Sequence, residues 1–447
     1  MLTFSSGRAA LLISTVFAIA LLLIILPGHN VLAQDEVGEP GERLEIPSSF
    51  NPVGSGARAL GMGGAFISVA DDATAASWNP GGLIQLETPE LSAVGALFYR
   101  QEELSFGTNP EASGPETVTK SNLNYLSAAL PFNRFNRNMI ISINFQHLYD
   151  FHREWEFTLR QTENNTQHLD YQMQGGLSAI GIAYAIQLTP RLSMGVTLNK
   201  WDNGLSKNEW EAEDSSTYLD EAGGGVQKTI DYTRWELSGY NFNLGFLWNI
   251  NYRLSIGGVF KAPFTADLDR QEKHFEFEND MNTPVFYSEA DKDQELDMPM
   301  SYGIGMAYRF SDNLTASLDI YRTEWGDFIL TDEAGNKTSA ISLKPKKTSN
   351  VDPTTQIRSG MEYLIITNRY VIPVRGGLFY DPAPAEGSPD DYYGFSIGSG
   401  LAKGRWVWDI AYQYRFGDNV SKYIYENLDF SQDVREHTIY SSIIFHF

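Results

Sequence analysis

Apolar and polar residues alternate with a period of two over most of this chain. Ile141, Ile143, Phe145 and Tyr149 interleave with Ser142, Asn144, Gln146 and Asp150. Tyr240, Phe242, Leu244, Phe246, Trp248 and Ile250 interleave with Asn241, Asn243, Gly245 and Asn249, and the same pattern recurs over 301–310 and 408–416. Successive side chains of a strand point to opposite faces, so each stretch predicts a strand with one apolar and one polar face. Soluble β-sandwiches alternate too. Here the apolar face is rich in aromatics and the polar face is small or uncharged, which suits lipid on one side and a lumen on the other.

Candidate strands fall near 90–101, 120–132, 139–152, 171–188, 192–201, 234–250, 253–264, 298–310, 314–325, 355–366, 370–380, 392–402, 405–416 and 436–447. The short connections at 133–138, 189–191, 251–252, 311–313, 367–369 and 403–404 alternate with long ones at 102–119, 153–170, 202–233, 265–297, 326–354, 381–391 and 417–435. An even set of about 14 strands with alternating turns and loops predicts an antiparallel transmembrane β-barrel, short turns periplasmic and long loops outside. The last strand ends on Phe447, with Phe445, Ile443 and Ile439 on the same face. Such an ending resembles the signal read by barrel-assembly machinery, which makes that machinery an expected partner, alongside outer-membrane lipid and lipopolysaccharide.

One segment, 9–26, is long and apolar enough for a helical span; Arg8 precedes it, Pro27 and Gly28 break it, and Val31-Leu32-Ala33 follows. That order predicts a signal peptide over 1–33, cleaved after Ala33. Composition then narrows the classes. The 447 residues hold no cysteine, which removes disulfide scaffolds and thiolate chemistry. With 56 acidic against 33 basic side chains the net charge is −23, which argues against a nucleic-acid partner. A mean hydropathy of −0.28 argues against a bundle of membrane helices. No HExxH spacing occurs, and the one GxSxG match, Gly394-Phe395-Ser396-Ile397-Gly398, lies inside a candidate strand rather than at a strand-to-helix turn. Neither enzymatic chemistry nor a metal or other cofactor is therefore expected.

The segment 34–89 lacks spanning strands. It holds Gly54, Gly56, Gly61, Gly63 and Gly64, then Ala70-Asp71-Asp72-Ala73, then Trp78-Asn79-Pro80-Gly81-Gly82. A compact Gly/Ala-rich stretch ahead of a wide barrel suits a plug in the lumen, which would otherwise be open. The sequence from Gly54 to Leu83 resembles the N-terminal hatch of the FadL/TodX outer-membrane transporters, and 257–264 and 298–328 are similar to later parts of that family. The resemblance implies a barrel over 90–447 closed by a hatch over 34–89. It implies passive uptake of hydrophobic small molecules such as long-chain fatty acids, leaving by a hatch shift or through the wall. Some relatives instead serve as docking components of secretion systems, which is the alternative.

By motif matching, Asn79, Pro80 and Gly81 occupy the family's Asn-Pro-Ala position, and the glycine in place of alanine predicts a looser turn. Asp71 and Asp72 either gate the hatch or bind a cation, or they satisfy turn or helix-start N–H groups inside the plug, the last being the simpler account. Arg58 either meets a substrate carboxylate or pairs with lumen or hatch carboxylates. In the long acidic loops, Trp210, Phe275, Phe277, Phe286 and Tyr287 are the candidates for capturing an apolar molecule. Clustered carboxylates there suit a solvated face better than a divalent cation. Trp201, Trp235, Trp248, Trp325, Trp406 and Trp408 are expected in the interfacial girdles.

Overall fold

A strand with a lipid face still has bare backbone along both edges, and only closure of the sheet removes those edges within a bilayer. A computed structural model of the chain describes residues 54–220 and 223–447; the expected signal peptide and the first part of the hatch lie outside the described residues. The strands are β1 (Glu90–Phe106), β2 (Gly114–Arg134), β3 (Arg137–Asp150), β4 (Arg153–Thr162), β5 (Asn165–Thr189), β6 (Leu192–Trp201) and β7 (Asn208–Asp220). They continue as β8 (Gly225–Asn249), β9 (Leu254–Lys261), β10 (Phe264–Glu278), β11 (Phe286–Met298), β12 (Ser301–Arg309) and β13 (Leu314–Thr323). The remainder are β14 (Ile329–Thr331), β15 (Lys337–Ser339), β16 (Thr354–Ile366), β17 (Val371–Tyr380), β18 (Tyr393–Lys403), β19 (Trp406–Val420) and β20 (Phe430–His446).

Fourteen of these form a closed antiparallel barrel, in the order β1, β2, β3, β5, β6, β8, β9, β12, β13, β16, β17, β18, β19, β20. The ring shuts where β1 meets β20, from Glu90 opposite His446 to Phe106 opposite Phe430. The expected parity holds. Ile143 and Ile304 are each 55% exposed on the outer face, while Ser142, Asn144 and Gln146 are buried within. Along β19, Trp408 and Ile410 face out and Asp409, 1% exposed, faces in.

Several connections expected to be long loops are strands instead. β4 and β7 extend the wall above β3 and β6 by pairing with β5, and β10 and β11 do so above β9 and β12. Alternation persists in those stretches: Trp155, Phe157 and Leu159 are buried while Glu154, Glu156 and Thr158 are exposed. The two storeys meet at interruptions such as Phe151-His152, 202–207, Ala262-Pro263 and Pro299-Met300, two of which hold a proline that cannot donate to a ladder.

The tryptophans divide at these interruptions. Trp248, Trp406 and Trp408 are exposed on the outer face, where girdle residues belong. Trp201, Trp235 and Trp325 are buried, contrary to expectation. Trp201 ends β6, and Trp325 follows β13, where the chain turns inward; Trp235 stacks on Trp210 at 5.4 Å.

Candidate functional site

Short stretches of the segment from Gly54 to Gln85 coil into helix α1 (Ala57–Gly61), helix α2 (Ala75–Trp78) and a 3-10 turn over Pro80–Gln85. Its small residues let backbone lie directly against backbone. Its polar groups, buried away from water, find partners on the inward faces of the strands. Ile67 N donates to Asp319 on β13 at 2.8 Å, and Ser317 Oγ donates to Ala65 O at 2.7 Å. Tyr125 Oη on β2 donates to Ala73 O at 2.8 Å, Thr197 Oγ1 on β6 to Ala76 O at 3.0 Å, and Ser193 Oγ to Gly81 O at 2.8 Å. On the far side, Gly63 N donates to Ser396 Oγ on β18 at 2.7 Å.

Asn79 is wholly buried and organises the turn. Its amide nitrogen donates to Ile67 O and to Phe246 O on β8, both at 2.8 Å, and its oxygen accepts from Gly81 N at 3.0 Å. Pro80 occupies the first position of the turn, where its missing N–H costs nothing. Gly81 was expected to loosen this turn, and the structure gives it another role. A Cβ there would sit 2.8 Å from Phe246 Cα and 2.9 Å from Gly245 O, so the glycine permits contact between turn and wall.

Asp72 accepts from Thr74 N at 2.8 Å and Thr74 Oγ1 at 2.5 Å, which is the turn-satisfying role. Asp71 pairs with Arg58. Arg58 also reaches Glu362 on β16 at 3.0 Å, Glu362 meets Arg375 on β17 at 2.6 Å, and Arg375 meets Asp409 on β19 at 2.6 Å. A single chain of alternating charge thus runs from the inner segment across three strands. Sequence reasoning named its first links, Asp71 and Arg58, but missed Glu362, Arg375 and Asp409. Charged residues on the polar parity of a barrel strand were the available signal. Above this row, Arg415 bridges Asp381 and Glu436 at 3.4 and 3.0 Å.

The opposite part of the lumen is lined differently. Tyr149, Asn199, Trp201, Asn241, Lys261 and Phe264 border a cavity of about 50 Å³. Trp201 stacks on Phe264 at 5.7 Å. Drug-sized ligands occupy pockets of roughly 300–1,000 Å³, so this cavity is too small for one as it stands. The larger space is in the wall. The ladder between β2 and β3 stops at Tyr125 opposite Gln146, and the register of β3 with β5 slips between His147 and Tyr149. No ladder joins β2 to β4 among the described residues. The resulting cleft, about 570 Å³, is bordered by Leu123, Phe145, His147, Gly176 and Trp210, and by the charged Lys120, Lys207, Glu209 and Glu211. At Gly175 the φ angle is +123° and a Cβ would lie 2.5 Å from Trp210 Cα, so only glycine lets β7 close over β5 there. At the upper rim of the cleft, Asp150 meets Lys120 at 3.5 Å, His152 at 3.0 Å and His147 at 3.4 Å.

The loop candidates separate. Trp210 lies in the wall, stacked on Phe151 at 4.7 Å. Phe275, Phe277, Phe286 and Tyr287 gather toward the tip of the β10–β11 hairpin, Phe275 being 4.9 Å from Tyr287 and 6.5 Å from Phe277, with Phe286 beside His274.

The family model described as outer membrane protein transport protein (OMPP1/FadL/TodX) matches residues 51–437. The chain belongs to the FadL/TodX family. Its fold is shared with a Pseudomonas aeruginosa FadL homologue at a TM-score of 0.61 and 12% identity, covering 90% of this chain and all of that one. The Pseudomonas putida toluene transporter TodX aligns at 0.56 with 14% identity, and the Ralstonia pickettii toluene transporter TbuX at 0.52 with 16%; each covers 89% of this chain and 100% of its own. No curated protein matches. As a FadL/TodX-family barrel the chain is an outer-membrane channel for hydrophobic compounds, and its relatives are transport proteins, not enzymes.

Proposed function

We propose that this barrel passes uncharged hydrophobic molecules inward without energy input, from the small lumen cavity through the β3 slip into the wall cleft. One observation carries the route. The lumen cavity touches Gln146, Leu148 and Tyr149, and the cleft touches Phe145 and His147, so the two spaces lie on opposite sides of the same five residues. Those five residues include the place where β3 loses its ladder to β2 and shifts register on β5. A strand held on one edge only can yield at less cost than one paired on both.

The segment 34–89 acts in this reading as the hatch. Its ties to β6, β8 and β13 are hydrogen bonds, neutral except for the one that Ile67 N donates to the Asp319 carboxylate. Its ties to β16 are instead the Arg58–Glu362 ion pair and a charged hydrogen bond from Arg358 to Gly63 O. A small tilt about the Arg58 anchor would open the amide-lined side first. Phe275, Phe277, Phe286 and Tyr287 form the outer capture cluster, and Trp210 borders the exit.

Neutral substrates are favoured over long-chain fatty acids for an electrostatic reason. The chain carries a net charge of −23, and the hairpin bearing the aromatic cluster holds Glu272, Glu276, Glu278 and Glu289. Such a field lowers the local concentration of anions. The solved toluene transporters fit the same preference. The docking role in secretion gains nothing from these relatives.

Uptake into cells lacking other FadL/TodX-family barrels tests the reading with toluene, p-xylene, octane and oleate. Expression of the protein should raise uptake of the three neutral compounds several-fold. Equal uptake with and without the protein for all four overturns passage; a gain for oleate alone overturns the neutral preference.

A further inference from the structure

We infer that the lipid-facing wall beside the cleft holds a second binding site, an apolar trough that receives the uncharged hydrophobic molecule as it leaves the barrel. The inference rests on the wall route proposed above and adds a place where the molecule goes next.

Two outward rows run across the strands on either side of the ring closure. One joins Trp406, Phe445, Leu91, Ala128 and Ile143; the next joins Trp408, Ile443, Ala93, Leu126 and Phe145. All the side chains in both rows are large except the two alanines. Ala93 and Ala128 lie diagonally on neighbouring strands β1 and β2, because Leu91 stands opposite Ala128 and Ala93 opposite Leu126. Small side chains set among large ones on an outward face make a depression. Its volume is about 540 Å³, within the range of small-molecule sites.

Two features separate this depression from ordinary lipid-facing surface. It adjoins the cleft, since Phe145 borders both spaces. It also runs from mid-wall toward the end of the barrel that carries the short turns, with Trp406 and Phe445 beside the last strand's end. The short turns are the periplasmic ones. The trough therefore leads from the opening toward the inner leaflet. Apolar side chains gain little over lipid tails by hydrophobic transfer alone. What the trough offers is a depression of fixed shape, which a rigid or short hydrocarbon fills with better dispersion contact than a long acyl chain that must bend into it. The site should bind loosely and release readily, as an exit requires.

The protein has no cysteine and a defined outer face, so labelling can be mapped site by site. The purified full chain is reconstituted in phosphatidylcholine–phosphatidylglycerol vesicles and photolabelled with a short uncharged alkyl diazirine. Peptides containing Ala93 and Ala128 should label at least threefold more than those containing Ile304 and Ile320 on the opposite outer face. Excess toluene should remove that difference, and Ala128→Trp should abolish it. In cells, Ala128→Trp should slow toluene uptake at least twofold, while Ile304→Trp leaves it unchanged. Heat-modifiable mobility on gels confirms that both variants fold. Even labelling of both faces means bulk lipid is the occupant and overturns the trough, with uptake intact. Loss of uptake by the unaltered protein would instead overturn the wall route itself.

Discussion

Between β16 and β20 the inward positions carry arginines and carboxylates, whereas between β3 and β9 they carry mainly amides, Asn144, Gln146, Asn199 and Asn243, with Asp150 and Lys261 the charged exceptions. The charged set reaches the inner segment through Arg58. The amides instead bond to one another and border the lumen cavity, and on their side the inner segment is held by Tyr125, Ser193, Thr197 and Phe246 O. The two sides differ in what a displacement would cost. Separating a buried ion pair strands a charge, at about 3–5 kcal/mol, while losing a neutral hydrogen bond costs about 0.5–1.5 kcal/mol net. In the gating proposed above, the charged side would act as the anchor and the amide side as the surface from which the inner segment parts. The wall follows the same division, since the incomplete ladder and the cleft both lie on the amide side.

The strongest way to break this comparison is Glu362→Gln, which leaves Arg58 and Arg375 without their shared carboxylate. It should lower stability by about 3–5 kcal/mol, read as a reduced urea midpoint for the detergent-solubilised barrel, and should raise ion conductance in planar bilayers. A loss no greater than that of the amide-side variants would erase the anchor. Asn79→Ala removes three hydrogen bonds on the amide side and should cost about 1–3 kcal/mol. Its mark should be faster amide exchange over 67–81, with the β16–β20 ladders unchanged.

Gly81→Ala comes next, at about 1 kcal/mol or somewhat more from overpacking. The added methyl group would push the turn from Phe246 and Gly245, and the signature is a rise in conductance without loss of the folded band on gels. If Gly81→Ala is silent, backbone contact at the wall does not hold the hatch.

The smallest expected effect lies in the outer hairpin, outside the bilayer. Burial alone would lower the pKa of His274, but its hydrogen bonds to Asp231 at 2.6 Å and Glu276 at 3.1 Å, with their charges, raise it above the ordinary histidine value. A raised folded pKa means that the protonated ring adds stability. The gain is complete below the ordinary histidine pKa and disappears as pH rises through the raised one. Solvent screening limits it to under about 1 kcal/mol. Amide exchange in β10 should quicken as pH rises, beyond the intrinsic base dependence, and His274→Gln should remove the excess.

Much of the barrel was legible in residue order alone. All of the expected spanning strands are present, because the bilayer demands one apolar face and parity records it directly. The upper storey was misread as loops because its acidic composition masked an alternation that Trp155, Phe157 and Leu159 preserve. The three inward tryptophans were misplaced for a related reason. They sit where β6 and β13 end or beside the extended strand β7, and a break in a strand cancels parity.

The hatch motif pointed to Arg58, Asp71 and Asn79, but not to what they touch. Sequence determined which residues face lipid and which face inward, since a period of two is a local property of the backbone. Tertiary structure decided the rest: that Glu362, Arg375 and Asp409 continue a charge row begun more than 300 residues earlier at Arg58, that Gly81 meets Gly245, and that β2 and β3 part above Tyr125. Each depends on the register between strands and on the fit of the inner segment against them. No single strand carries that information, because register is set by both edges at once and by the closure of the ring.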